Sequence, residues 1–274
     1  MKYLLSQRNW TGVVKKITKA RQVLLFLDYD GTLTPIKPHP SLAKLSFRTK
    51  SILRELSHFP GISICIISGR PLEEIRRVVG LTGITYVGNH GIEIGMGRRR
   101  VSIPRASQTR RSLSYLYDRL GPLGRNFPGF WVENKGFTAS LHYRQVPGQE
   151  VKELLQEIES VLTPLSGKFV VTAGKKVWEI RPKINRDKAW AVKFLSRQSK
   201  SVSRLLIYLG DDFTDHKALF KVQHNGGIAI KVGRGSSDIN GVYHLKSPRE
   251  VLSFLTKLAG LIRLGSNRPS PENS

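Results

Sequence analysis

Residues Val23–Thr34 read VLLFLDYDGTLT: five consecutive apolar positions run straight into two carboxylates, Asp28 and Asp30, followed by Gly31 and the hydroxyls of Thr32 and Thr34. Asp and Gly end strands and form turns readily, which accounts for one such acid more easily than for two. The pattern recurs: Ile62–Ile67 runs into Ser68-Gly69-Arg70, and Leu205–Leu209 runs into Gly210-Asp211-Asp212. Short apolar runs that end in polar clusters and alternate with helical segments are the signature of a parallel sheet in an α/β fold. Leu45–Phe59, Pro71–Val79 with its proline in the first turn, Lys188–Ser199 and Asp215–Val222 read as the covering helices. Gly227–Val232 reads as a further strand leading to a last helix at Pro248–Ala259.

Composition sets the outer limits. At 274 residues and 39% hydrophobic, the chain can bury a sizeable core without covalent staples. Its one cysteine, Cys65, excludes an internal disulfide framework, and the flanking Ile64 and Ile66 place it in a buried strand. No apolar run approaches the roughly 18 residues that span a bilayer, and the first residues lack the apolar stretch of a signal peptide. A soluble, cytoplasmic protein with no membrane span is the expectation. The net charge of +25 admits nucleic acid, anionic lipid or a phosphorylated small molecule as partner. The densest basic run, Arg98–Arg100 with Arg105, Arg110 and Arg111 nearby, has no interleaved aromatics, so nucleic acid is not expected as the primary partner.

The middle of the chain follows another pattern. Arg111–Leu120 and Glu150–Leu162 read as helices, while Phe130–Tyr143 and Val177–Ile180 read as strands, which together form an α+β unit. The economical organisation is a Rossmann-like α/β core of residues 1–105 and 184–274, interrupted by an α+β insert of residues 106–183. The Ser-, Asn- and Pro-rich stretch after about Gly265 reads as a frayed tail.

In open α/β sheets the ligand crevice lies outside the carboxyl ends of the strands, and Asp28, Asp30, Ser68, Asp211, Asp212 and Asp215 all fall there. So many carboxylates at one sheet end would repel unless a cation neutralised them, and oxygen donors point to a hard ion such as Mg2+.

Four motifs in order, Asp28-Tyr29-Asp30-Gly31-Thr32, Ser68-Gly69-Arg70, Lys188 and Gly210-Asp211-Asp212-Phe213-Thr214-Asp215, resemble the signatures of the haloacid-dehalogenase-like phosphatases. Gly88–Glu93, Val132–Gly136, Leu141–Arg144 and Lys176–Pro182 are similar to the trehalose-6-phosphate phosphatases within that superfamily. The resemblance covers Val23 to Val232.

It implies a haloacid-dehalogenase core with an inserted cap that closes over the site, and hydrolysis of trehalose 6-phosphate to trehalose and phosphate. Asp28 would be the nucleophile and Asp30 the acid and then the base. Thr32, Ser68 and Lys188 would bind the phosphoryl oxygens, and Asp28, Asp30 through its backbone carbonyl, Asp211 and Asp215 would hold Mg2+. Arg70, Asn89, His90, Glu133, Lys135, Arg144, Lys176 and Glu179 would contact the sugar. Trp131, His142, Tyr143 and Trp178 are expected to pack the cap sheet. The alternatives are phosphatases of other phosphorylated glycosides or compatible solutes, such as glucosylglycerol phosphate or mannosylglycerate phosphate, or a non-catalytic partner of a trehalose-phosphate synthase. A synthase partner and a monomeric state are further expectations. Two departures stand out, because His216 follows Asp215 where the family commonly has Glu, and Ala189 follows Lys188 where it commonly has Gly.

Overall fold

The computed structural model describes residues 1–102, 106–174, 176–198, 203–233 and 239–266. The chain divides into two units, Met1–Val101 with Arg186–Ser274, and Ser102–Asn185. The first unit starts with β1 Lys2–Tyr3, α1 Gln7–Lys19, β2 Gln22–Asp28, α2 Phe47–His58, β3 Ile62–Ile67, α3 Leu72–Val79, β4 Thr85–Gly88, β5 Glu93–Met96 and β6 Arg99–Val101. The second contains α4 Ala106–Leu120, α5 Leu123–Asn126, β7 Trp131–Asn134, β8 Ala139–His142, α6 Val151–Leu162, β9 Phe169–Gly174 and β10 Val177–Pro182. The chain then completes the first unit with α7 Lys188–Gln198, β11 Arg204–Gly210, α8 His216–His224, β12 Ile228–Val232, β13 Tyr243–Leu245 and α9 Pro248–Ser266.

Among the described residues the first unit's sheet has the order β1-β13-β12-β11-β2-β3-β4-β5-β6. It is parallel from β1 to β4, and β5 and β6 are added by antiparallel pairing, so that β5 alone runs against the rest. The strand run VLLFL is apolar throughout because both faces are covered. Val23, Leu25 and Leu27 face one core with α2, α3 and α9, whereas Leu24 and Phe26 face a second core with α7 and α8. β3 and β11 divide in the same alternating way, with Ile64 and Ile66 in the first core and Cys65 and Ile67 in the second. Period-two alternation therefore carries no polar side here, and the pattern signals burial on both faces. The order of strand addition reverses at β2, from which β3 and β4 extend one way and β11 and β12 the other. That is the switch point at which a crevice opens in this kind of sheet.

Most expected elements are present with shifted ends. Pro71 is the residue before α3 rather than part of its first turn. The single stretch Phe130–Tyr143 resolves into β7 and β8. The helix expected from Asp215 begins at His216, behind a 3-10 turn over Phe213–Asp215. α1 and the short strands β1, β4, β5, β6, β9 and β13 had no reading from the sequence. The joints between the units fall a few residues from the expected boundaries. Arg105, Ser199 and the tail from residue 267 lie outside the described residues.

The second unit is a four-stranded antiparallel sheet, among the described residues, in the order β7-β8-β10-β9. Leu113, Leu116 and Leu120 of α4 and Leu154, Ile158 and Leu162 of α6 are spaced for one helical face, and they pack on Ala139, Leu141 and Ile180 of the sheet. The helices thus cover one sheet face, and the residues alternating with the packed ones point to the other.

Phe254 of α9 is 0% exposed and meets Trp10 edge-on, with ring centroids 6.2 Å apart. Phe254→Ala should cost roughly 3–5 kcal/mol through lost transfer energy and the cavity left behind, read as a lower urea midpoint for the first unit.

Candidate active site

Register pairs Leu27 with Leu209, so the carboxyl ends of β2 and β11 lie side by side and Asp28 and Asp211 leave the sheet together. One carboxylate oxygen from each of Asp28, Asp211 and Asp215 falls within 4.8 Å of the others. Lys188 opens α7 and sends its Nζ between two of them, donating at 2.7 Å to Asp28 Oδ1 and at 2.7 Å to Asp215 Oδ1. All three groups of that ion triad are buried. The Tyr208 hydroxyl donates to the same Asp215 oxygen at 2.6 Å, and the Asp212 N–H donates to the other at 3.0 Å. Thr32 Oγ1 donates to Asp211 Oδ1 at 3.3 Å, and the Lys231 ammonium donates to the Asp211 carbonyl.

Two glycines make this crowding sterically possible. Gly31 has φ +85°, and a Cβ there would sit 2.0 Å from Asp211 Oδ2. A Cβ on Gly210 would sit 2.4 Å from the Asp215 carboxyl carbon. Burial pushes Asp28 well above the usual carboxylate range despite Lys188, and Asp215 and Asp211 push the same way. Asp211 is raised to about 6, chiefly by burial and then by Asp215. Lys188 is raised although burial alone would lower it, because both of its carboxylate partners favour the charged form. Three carboxylates against one ammonium leave two negative charges on hard oxygen donors, a set that fits a divalent cation.

The Asp30 side chain turns elsewhere. Arg70 Nε donates to Asp30 Oδ2 at 2.8 Å and Arg70 Nη2 to Asp30 Oδ1 at 2.6 Å, a two-pronged pair. Arg70, expected among the sugar contacts, is 6% exposed and also donates to Glu74 Oε1 and to the Pro40 carbonyl, each at 2.8 Å. Ser68 is buried behind β3 and accepts the Arg70 N–H at 3.1 Å. Asn89 and His90 take left-handed backbone, φ 49° and 57°, and the Asn89 side chain donates to Glu93 at 2.8 Å.

On the helix-free face of the second unit's sheet, register aligns Trp131 with His142, Glu133 with Ser140, and Ser140 with Glu179. Lys135 Nζ lies 3.6 Å from Glu133 Oε2 and 3.3 Å from Glu179 Oε1, and Ser140 Oγ donates to that Glu179 oxygen at 2.7 Å. His142 Nε2 sits 2.9 Å from Glu133 Oε2, and Trp131 stacks on the His142 ring at 3.9 Å. Trp131 is 43% exposed, so the expected packing role holds for one of its faces only. Among the described residues, Glu179 Oε2 is buried without a hydrogen-bond partner. Arg144 and Lys176 are exposed, with Lys176 at φ 61°.

Sequence reasoning did not single out Glu74, Tyr208, Lys231 or Ser140 for the site. A tyrosine in an otherwise aliphatic buried strand was the available signal for Tyr208, and spacing four residues from Arg70 was the signal for Glu74.

The trehalose-phosphatase family model matches residues 26–249, a stretch that contains every residue of the candidate site. The chain belongs to the trehalose-phosphatase family. Trehalose-phosphate phosphatase B of Arabidopsis thaliana is 32% identical over 267 residues, covering 92% of this chain and 70% of the relative. The C-terminal domain of the C. albicans trehalose-6-phosphate phosphatase superposes with TM-score 0.77 at 26% identity, covering 92% of this chain and 97% of that one. A haloacid dehalogenase-like hydrolase from Bacteroides thetaiotaomicron shares the fold, with TM-score 0.60 at 16% identity over 86% of this chain and 99% of that one. The expected family and fold are therefore those found, and family membership makes the chain a phosphatase. Ala189 and His216 follow Lys188 and Asp215 in the chain and are not among the three clustered carboxylates.

Two consequences of this geometry can be measured. Tyr208→Phe removes one donor from a buried carboxylate without changing volume, and should cost about 1.5–3 kcal/mol in chemical denaturation. Burial raises Glu133, yet the His142 bond and Lys135 outweigh it and hold the carboxyl below its usual value. A carboxyl depressed by folding adds stability that is complete above its unfolded value and lost as pH falls through the folded one. Glu133→Gln should therefore melt below the native chain at pH 7, with the two converging below about pH 4.

Proposed function

We propose that this phosphatase hydrolyses trehalose 6-phosphate to trehalose and phosphate through a phosphorylated Asp28. The observation that carries this is the buried triad of Asp28, Lys188 and Asp215 beside Asp211, in a chain of the trehalose-phosphatase family. Asp28 Oδ attacks phosphorus as the bond to the sugar oxygen breaks, and that oxygen takes a proton from Asp30. In the second half water gives a proton to Asp30 and attacks phosphorus, the bond to Asp28 breaks, and both carboxyl groups return to their starting forms.

An ammonium has three N–H donors. The bonds to Asp28 and Asp215 use two and leave the third for a phosphoryl oxygen. Thr32 and Ser68 hydroxyls join it, suiting a transition state whose charge spreads over three oxygens. Mg2+, held by Asp28, Asp211, Asp215 and the Asp30 carbonyl, would when bound neutralise charge at those oxygens. The second unit supplies recognition of the leaving sugar, with Glu133, Lys135 and Glu179 as the paired acids and cation that a disaccharide's hydroxyls need, and Arg144 and Lys176 beside them. The unsatisfied Glu179 Oε2 supports this assignment. Asn89 and His90 are assigned to the core side of the same task.

Phosphate release from a panel of sugar phosphates, after chelation and with Mg2+ restored, tests the proposal. Trehalose 6-phosphate should lead the panel, activity should need the metal, and Asp28→Asn should lose at least about a thousandfold in kcat. Equal turnover by Asp28→Asn removes the covalent step, and preference for another glycoside removes the substrate.

A further inference from the structure

We propose that Arg70 and Glu74 form a positioning clamp that aims the Asp30 carboxylate, and that Arg70 is not a sugar contact; this rests on the acid and base role given to Asp30 above. A sugar contact needs donors to spare. The Arg70 guanidinium has five N–H groups, and Asp30, Glu74 and the Pro40 carbonyl receive four bonds from them. Its cationic carbon also lies 5.1 Å from the Tyr29 ring centroid, which closes one flat side. The side chain is 7% exposed, whereas that of Asp30 is 40% exposed. The guanidinium is thus spent on the protein while the carboxylate it grips stays open to an incoming group.

The grip fixes direction because it takes both Asp30 oxygens at once. A fork of two parallel bonds sets the plane of a carboxylate, which a single ammonium contact would leave free to rotate. Glu74 keeps the fork aimed. It sits in the first turn of α3, where an acid is favoured by the helix dipole, and it binds the Nη1 edge that faces away from Asp30. The Pro40 carbonyl holds Nη2 from a different part of the chain. When Asp30 exchanges a proton with the leaving oxygen, one of its oxygens must change partner. Arg70 stays in place during that exchange because Glu74 and Pro40 still hold it.

Leaving-group chemistry separates such a role from general damage. An alkoxide leaving from a sugar phosphate needs a proton from a well-aimed acid, whereas p-nitrophenolate leaves with little help. The experiment measures first-turnover release of trehalose from trehalose 6-phosphate and of p-nitrophenolate from p-nitrophenyl phosphate, with Mg2+, for the native chain, Arg70→Lys, Glu74→Gln and Asp30→Asn. General acid help is typically worth 10²–10⁴-fold, so a misaimed acid should cost part of that. Arg70→Lys should slow trehalose release about a hundredfold and Glu74→Gln about tenfold, while p-nitrophenolate release changes by less than about threefold and KM by less than about twofold. Retained p-nitrophenolate release also shows that the variants fold. Equal losses on both substrates would make the clamp merely structural and overturn the proposal. A raised KM with kcat kept would return Arg70 to the sugar contacts and overturn it as well. If Asp30→Asn shows the substrate difference and the two clamp variants do not, the clamp alone fails. If Asp30→Asn shows none, the acid role fails and the clamp with it.

Discussion

The Lys188 ammonium between Asp28 and Asp215 is the contact on which the rest depends. Removing three charges from water is expensive, and their attraction repays it only when geometry and further hydrogen bonds are good. Tyr208 and the Asp212 amide meet that need on Asp215, and Thr32 serves Asp211. Taking Lys188 away would leave the buried carboxylates of Asp28 and Asp215, with Asp211 beside them, without their ammonium partner. The triad also ties together distant chain: Lys188 is 160 positions from Asp28, with the whole second unit between them in sequence. Closing so long a connection costs only slowly more with length, so an inserted unit is tolerated if the two ends of its host meet in a strong contact.

A core held by such a triad must exclude side-chain bulk at its most crowded points. Gly31 and Gly210 serve that end, one beside Asp211 and the other beside Asp215. The glycines in the two motifs are therefore not flexible punctuation. They are the room into which neighbouring carboxylates fit, and this links the turn chemistry at each strand end to the charge chemistry of the site.

Much of this was legible in the sequence, for definite reasons. Runs such as VLLFL and ICII are apolar at every position, and only a strand covered on both faces has that property. Acids at the ends of those runs then had to share one sheet edge. The Asp30–Arg70–Glu74 arrangement was not legible, because which carboxylate a guanidinium selects depends on side-chain direction, and no spacing encodes it. Arg70 was expected among the sugar contacts on the resemblance alone, whereas its hydrogen bonds go to Asp30, Glu74 and the Pro40 carbonyl. Tyr208 stood out only as one tyrosine in an aliphatic run, which does not say what its hydroxyl meets. The strands β4, β5 and β13 escaped because three or four residues carry too little period to register.

The second unit poses the opposite electrostatic problem. Its polar sheet face carries Glu133, Lys135 and Glu179, where one ammonium bridges the two carboxylates and His142 Nε2 sits 2.9 Å from Glu133. In the proposed function a neutral disaccharide brings hydroxyls and no charge to that face, and is recognised by groups held in place beforehand. Pre-pairing supplies this, since Lys135 fixes both carboxylates and Ser140 fixes one Glu179 oxygen while the other remains unbonded among the described residues. A ligand with a hydroxyl at that oxygen would satisfy it, and an analogue without one would leave it buried and bare. Sites built on polar partners discriminate far more steeply against a missing hydroxyl than apolar pockets do against a missing methylene. In the proposed function selectivity therefore comes from this small pre-paired network, and reactivity from the three carboxylates and one ammonium at the end of the parallel sheet.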